Sequence, residues 1–136
     1  MIRTVIHDEF RLGRPSVPAT QKDISIADDL METLMEHHQT CVGMAANMIG
    51  ENVAIIVFLD RGIPREMFNP VITEQSDPFE TEEGCLSLSG VRSITRYKKI
   101  TVAWQDRSFH THNAVFEGFP AQIIQHEIDH CKGVLI

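Results

Sequence analysis

One segment constrains this chain more than any other: Gln125-His126-Glu127-Ile128-Asp129-His130. On an α-helix, positions four apart lie about 40° apart around the axis, so His126 and His130 project from one face on adjacent turns. At that spacing two imidazoles can share one metal ion. Glu127 falls about 100° from His126 and roughly 60° from His130 by the same arithmetic. It can flank such an ion and reach a water without being a ligand. Two ligands beside a general base suit metal-assisted hydrolysis. A surface helix carrying two histidines by chance is the alternative, and six specified residue classes on a predicted helix argue against it.

The segment does read as a helix. Periodic positions run from about Pro120 to Cys131, with Pro120 suited to a first turn and Gly133 marking the stop. A catalytic site of this kind needs a third protein ligand and an open fourth position. Cys85 is the best candidate. It lies in Glu82-Glu83-Gly84-Cys85-Leu86-Ser87-Leu88, where a tight glycine-containing segment can present a thiolate and a free backbone N–H. Cys131 sits off the ligand stripe, and Cys41 adjoins a glycine turn without a matching partner; both read as small buried hydrophobes. His7, His37, His38, His110 and His112 have no ligand spacing relative to the motif.

The rest of the pattern is a helix, several short strands and the final helix. Ser25 with Asp28 resembles a capping box. Ala27, Leu30, Met31, Leu34, Met35 and His38 follow the stripe of a buried helix face. Residues 53–59 form an apolar run of strand length. Segments near 67–73, 98–105 and 112–116 are further strand candidates, and residues 10–20 read as an extended loop. This predicts an α+β fold, one domain over residues 1–136, with a mainly antiparallel sheet packed around the metal-binding helix.

Composition narrows the partners. The net charge of −7, from 12 basic and 19 acidic residues, disfavours nonspecific nucleic-acid or anionic-membrane binding. No apolar stretch near the N-terminus is long enough for a signal peptide. Three cysteines argue against a disulfide framework. The expectation is a cytoplasmic protein.

Three segments together resemble the peptide deformylase family: Gly43-Met44-Ala45-Ala46-Asn47-Met48-Ile49-Gly50, Glu83-Gly84-Cys85-Leu86-Ser87, and Gln125 to His130. Their order and spacing fit, and the resemblance covers nearly the whole chain. It implies a deformylase fold and removal of formyl from the N-terminal methionine of new polypeptides, met as nascent chains near the ribosome. It implies one divalent metal, commonly Fe²⁺, with Zn²⁺, Ni²⁺ or Co²⁺ able to occupy the site. Carried over by position, Cys85, His126 and His130 are ligands and Glu127 is the acid/base. The Leu86 N–H holds the formyl oxygen, and Val42, Gly43 and Gly84 line the substrate groove.

The chain also departs from the family pattern. Met48 stands where the family places a glutamine whose amide is the second oxyanion donor, and a thioether donates no hydrogen bond. Asn47 sits one position early. Gln122, one turn before His126, is another amide, read more simply as a helix-surface residue. Ser89 replaces a common proline. Many relatives carry a C-terminal extension beyond the metal helix; this chain ends at Ile136, so less cover is expected on that side. Slow catalysis is one expectation. A non-catalytic paralogue that binds formyl-peptide or nascent-chain ends is the alternative, and a structural zinc site with four protein ligands is a third reading.

Overall fold

The run from Ile55 to Phe58 explains the architecture. Successive side chains of a strand point to opposite faces, and here all four are buried. Ile55 and Val57 join one core with Met44, Phe68, Leu12, Ala27, Leu30 and Leu34. Ile56 and Phe58 join a second with Met67, Ile100, Val102, Phe116, Ile123, Ile124 and Ile128. An apolar run without alternation is what a strand covered on both faces requires.

The computed structural model describes residues 1–135. A short helix α1 (Glu9–Leu12) leads through a 3₁₀ turn (Gln21–Asp23) into α2 (Ile24–Glu36). Strand β1 (Gly43–Ala45) is followed by a 3₁₀ turn (Ala46–Ile49) and by β2 (Ile55–Asp60), β3 (Ile63–Gly84), β4 (Val91–Gln105), β5 (Thr111–Glu117) and the helix α3 (Phe119–Cys131). The five strands form one antiparallel sheet in chain order. The α2 helix packs into the first core and α3 into the second. No described helix is long and apolar enough to cross a membrane.

The expected α+β class and the antiparallel sheet on the last helix are found. Several local expectations are corrected. The predicted loop over 10–20 begins inside α1, where the Asp8 side chain accepts from the Phe10 N–H. The helix α2 is entered through Thr20 and Asp23, whose carboxylate takes the Thr20 N–H at 2.8 Å, so Ser25 and Asp28 are not its cap. Asp28 instead meets Arg107. Within the predicted stripe, Ala27, Leu30 and Leu34 are buried, Met31 is half-buried, and Met35 and His38 are exposed. The helix ends at Glu36, and Thr33 takes a core position instead, accepting from the Arg3 N–H.

The candidates near 67–73 and 98–105 are parts of longer strands. Pro64, Pro70 and Pro78 obscure β3 in sequence, because proline cannot donate to a ladder. The strand tolerates Pro70 at an irregularity where the register shifts between Phe68 and Val71. Beyond it, β3 and β4 continue as a ribbon that pairs Glu83 with Arg92 and Gly84 with Val91. That ribbon carries Cys85 to the last helix.

The C-terminal end of α3 is not left bare. Nine of its thirteen residues are buried. Gly133, at φ +77°, lies so close to Gly13 that a Cβ there would meet the Gly13 oxygen at 2.4 Å. Asn47 fastens the same corner: its Nδ2 donates to the Leu12 carbonyl at 3.2 Å and to the His130 carbonyl at 2.8 Å. Asn47→Ala would leave the Leu12 carbonyl without its donor, costing about 1–3 kcal/mol, while the His130 carbonyl keeps the Gly133 N–H at 3.0 Å. An unfolding midpoint in urea is expected to fall by the equivalent of roughly 1–3 kcal/mol, with the sheet's circular dichroism retained.

Candidate active site

The ribbon and the helix meet at the turn after β3. Cys85 follows Gly84, and the Leu88 N–H closes the turn on the Cys85 carbonyl at 3.3 Å. From the N-terminal segment, His7 Nδ1 lies 2.8 Å from the Ser87 carbonyl. Cys85 Sγ lies 3.2 Å from His130 Nε2 and accepts from the Ser87 N–H at 3.4 Å. One ligand atom from each of Cys85, His126 and His130 falls within 4.8 Å of the others. Tetrahedral ligands 2.0–2.3 Å from one ion stand roughly 3.3–3.8 Å apart, so the three donors need little rearrangement. Among the described residues no fourth Cys, His, Asp or Glu joins them. Four protein ligands, the requirement of a structural zinc site, are therefore not assembled.

The donors suit a cation chemically as well as in spacing. Burial lowers the pKa of His130, and the charges of His126 and Arg96 push the same way, to about 3; a neutral imidazole is the ligand form. Burial also opposes charge on His126, but Cys85 and Glu83 outweigh it and raise its pKa to about 10. To act as a ligand His126 must give up that proton, so metal uptake at this site releases it. Burial pushes the Cys41 thiol up to about 11 and the Cys131 thiol up to about 12, which keeps both as neutral thiols.

Glu83 organises the far side of His126. Its Oε1 lies 2.8 Å from His126 Nδ1, and its two oxygens take Arg96 Nε at 3.1 and 3.0 Å. Arg96 Nη2 adds a bond at 2.8 Å, and Arg96 Nη1 reaches Asp129. Glu83 thus serves the site and the Arg96 pair together, while Arg92 turns to the Ser89 carbonyl. A carboxylate on the outer nitrogen of a ligating histidine fixes its tautomer and presents Nε2 inward.

Burial alone would raise the Glu83 pKa, but bonds from His126, Arg96 and Gln122 hold it down at about 2. A carboxylate depressed in the folded state stabilises it above the unfolded pKa of about 4.3, and loses that contribution as pH falls towards 2. Urea midpoints of the wild type are expected to decline between pH 5 and pH 2.5 by the equivalent of about 3 kcal/mol or less. Glu83→Gln should start lower and decline less over that window. Parallel curves would contradict the assignment.

Glu127 is 4% exposed, and its Oε1 has no hydrogen-bond partner. Burial lifts its pKa to about 7; His126 draws it down and Glu83 adds to the rise. The carboxylate lies against β1: a Cβ at Gly43 would come within 2.7 Å of Ile123 Cγ2 and 3.0 Å of Glu127 Oε2. Glycine is needed there for the strand to pass this close.

A pocket of about 570 Å³ opens over these groups. Its walls include Val42 and Gly43 of the β1 edge, Gly84, Cys85 and Leu86 of the turn, and His126 and Glu127 of α3. Val42, Gly43 and Gly84 thus all line this pocket. The Leu86 N–H has no acceptor among the described residues. His130 lies beneath the wall and is fully buried.

Met48 is not brought into the pocket. It is 1% exposed, packs in the first core, and its Sδ accepts from the Ala45 N–H at 3.4 Å. Asn47 is likewise turned away, to the Leu12 and His130 carbonyls.

Other pocket residues were missed in the sequence or read as core or surface. Cys41 packs partly on the first core and also lines the pocket. Phe119, Gln122 and Ile123 are wall residues, and Gln122 is half-buried rather than a plain surface glutamine. Gln122 was already marked by its place one turn before His126, and the same spacing could have found Ile123, one turn before Glu127.

Comparison with known proteins agrees in sequence and in shape. Residues 3–136 match the family model described as polypeptide deformylase. A peptide deformylase of Clostridium beijerinckii is 47% identical over 136 residues, the full length of both chains. Peptide deformylase 3 of Shewanella oneidensis is 39% identical, with 94% of this chain and 81% of that one aligned. Among solved structures, a class I type b peptide deformylase from Acinetobacter baumannii with Met-Ala-Ser bound superposes with a TM-score of 0.90 at 28% identity, covering 99% of this chain and 97% of that one.

Proposed function

This chain belongs to the polypeptide deformylase family, and we propose that it hydrolyses the N-formyl group of formyl-methionyl peptides, releasing formate. The observation that carries this reading is the convergence of Cys85, His126 and His130 beside the unpartnered carboxylate of Glu127, in a pocket edged by an open strand. Cys85, His126 and His130 would hold one divalent metal. That ion, Fe²⁺ by family resemblance with Zn²⁺, Ni²⁺ or Co²⁺ accepted by the same donors, supplies Lewis acidity that acidifies water and polarises the formyl carbonyl.

The chain's own groups do the rest. Val42, Gly43 and Gly84 flank the substrate backbone and set the formyl group over the site. Glu127 takes a proton from the attacking water as the new C–O bond forms, then delivers it to the leaving amine as the C–N bond breaks. The Leu86 N–H donates to the oxygen that becomes negative. Met48 offers no second donor, so turnover is slower than with an amide in that position. The substrate in the cell would be the formyl-methionyl end of a new polypeptide, met in the cytoplasm near the ribosome.

The test is formate release from a formyl-methionyl tripeptide by protein loaded with metal under anaerobic, reducing conditions. Formate in step with a new free amine is expected. Peptide binding without formate would overturn the reading and leave the non-catalytic binding module. The relatives described above carry the name deformylase, which does not favour that alternative.

A further inference from the structure

We infer that Gln122 is a positioning residue of the metal centre, holding Glu83 in place against His126 from the substrate pocket. The inference rests on Cys85, His126 and His130 being metal ligands, and not on hydrolysis.

The geometry is a relay of two hydrogen bonds. Gln122 Nε2 donates to Glu83 Oε2 at 2.8 Å, and Glu83 Oε1 meets His126 Nδ1 at 2.8 Å. Gln122 and His126 are one helical turn apart, so the carboxylate from the ribbon is clamped by two side chains of one helix face. The amide orientation follows from chemistry: an ionised carboxylate only accepts, so the NH₂ must face Glu83 and the carbonyl must face away. Gln122 is half-buried and forms part of the pocket wall beside Phe119 and Ile123. Among the described residues it is the only side-chain amide in that wall, Asn47 being turned to the Leu12 and His130 carbonyls. Arg96 alone does not make Gln122 redundant. It grips Glu83 along the edge presented by Nε and Nη2, whereas Gln122 holds Oε2 from the pocket side. Without it, Glu83 can swing about Arg96 and loosen its hold on the imidazole.

The test is Zn²⁺ affinity by competition with a chelator, which needs no formyl substrate. Outer partners of ligating histidines typically contribute 10–100-fold to metal affinity. Glu83→Gln should lose about that much, and Gln122→Leu, acting through Glu83, about 3–10-fold. Gln122→Asn, too short to reach Oε2, should match Gln122→Leu; agreement between the two separates the lost bond from altered packing. Unfolding midpoints of the metal-free proteins check that each variant folds. In a Glu83→Gln background, Gln122→Leu should add less than about twofold, because the relay is already broken. Unchanged affinity in both Gln122 variants, or an equal loss in both backgrounds, would overturn the inference. A wild type that retains no Zn²⁺ would overturn the metal assignment and this inference with it.

Discussion

Glu127→Gln is expected to lower kcat for formate release by about 10²–10⁴-fold while leaving bound metal at the wild-type level. Glutamine matches glutamate in size but cannot cycle a proton. The site is closed enough for the exchange to be conservative: Glu127 is 4% exposed and adjoins Ile123 and the Gly43 backbone. Because Glu127 lies outside the trio of donors, metal content should not fall. Affinity for the unformylated methionyl peptide should change by less than about threefold, since the loss falls on the transition state.

The pH profile follows from the same residue. Burial raises its pKa to about 7, so below that value the carboxyl is protonated and the base is lost. Activity should therefore rise with pH as the carboxylate forms. A cation on the neighbouring donors favours the charged carboxylate and shifts this limb to lower pH. A variant with unchanged kcat would remove Glu127 from the reaction.

Met48→Gln is expected to raise kcat/KM by about tenfold or more, because loss of one oxyanion donor typically costs 10²–10³-fold. The two side chains have similar length. In the structure the thioether accepts the Ala45 N–H. Because Met48 itself faces the core, the gain requires the glutamine amide to turn towards the pocket rather than take over that bond. The exchange places an amide in a site only 1% exposed, so a stability loss of about 1–3 kcal/mol is expected if one of its groups lacks a partner. Rate and stability should thus move in opposite directions. An unchanged rate would mean that another group already serves as the second donor.

The trio Cys85, His126 and His130 was legible because helical spacing is strict and cysteine is scarce. The core strand was legible as the apolar run 53–59, which needed cover on both faces; the strand itself spans Ile55–Asp60. What escaped the sequence was long-range partnership. Nothing local distinguishes Arg96 from Arg92 as the partner of Glu83: both lie on one face of β4 and Arg92 is directly across from Glu83 in the register, yet Arg96 takes the carboxylate and Arg92 turns to the Ser89 carbonyl. Gln122 looked like a surface residue until the ribbon was folded against its helix. The full length of β3 was hidden by its prolines, of which Pro70 sits at a register shift while Pro64 and Pro78 lie within regular pairing. Met48 was singled out for what it lacks. Its burial shows where its sulfur goes instead.

Hydrolysis is expected to depend on one metal held by Cys85, His126 and His130. The most direct measurement titrates metal-free protein with Fe²⁺ or Co²⁺ under anaerobic conditions and follows formate release at each step. Activity is expected to rise linearly and level off at one ion per chain, with His130→Ala neither retaining metal nor turning over. Formate release that is independent of metal, or a protein that binds one ion and the peptide yet releases no formate, would contradict it.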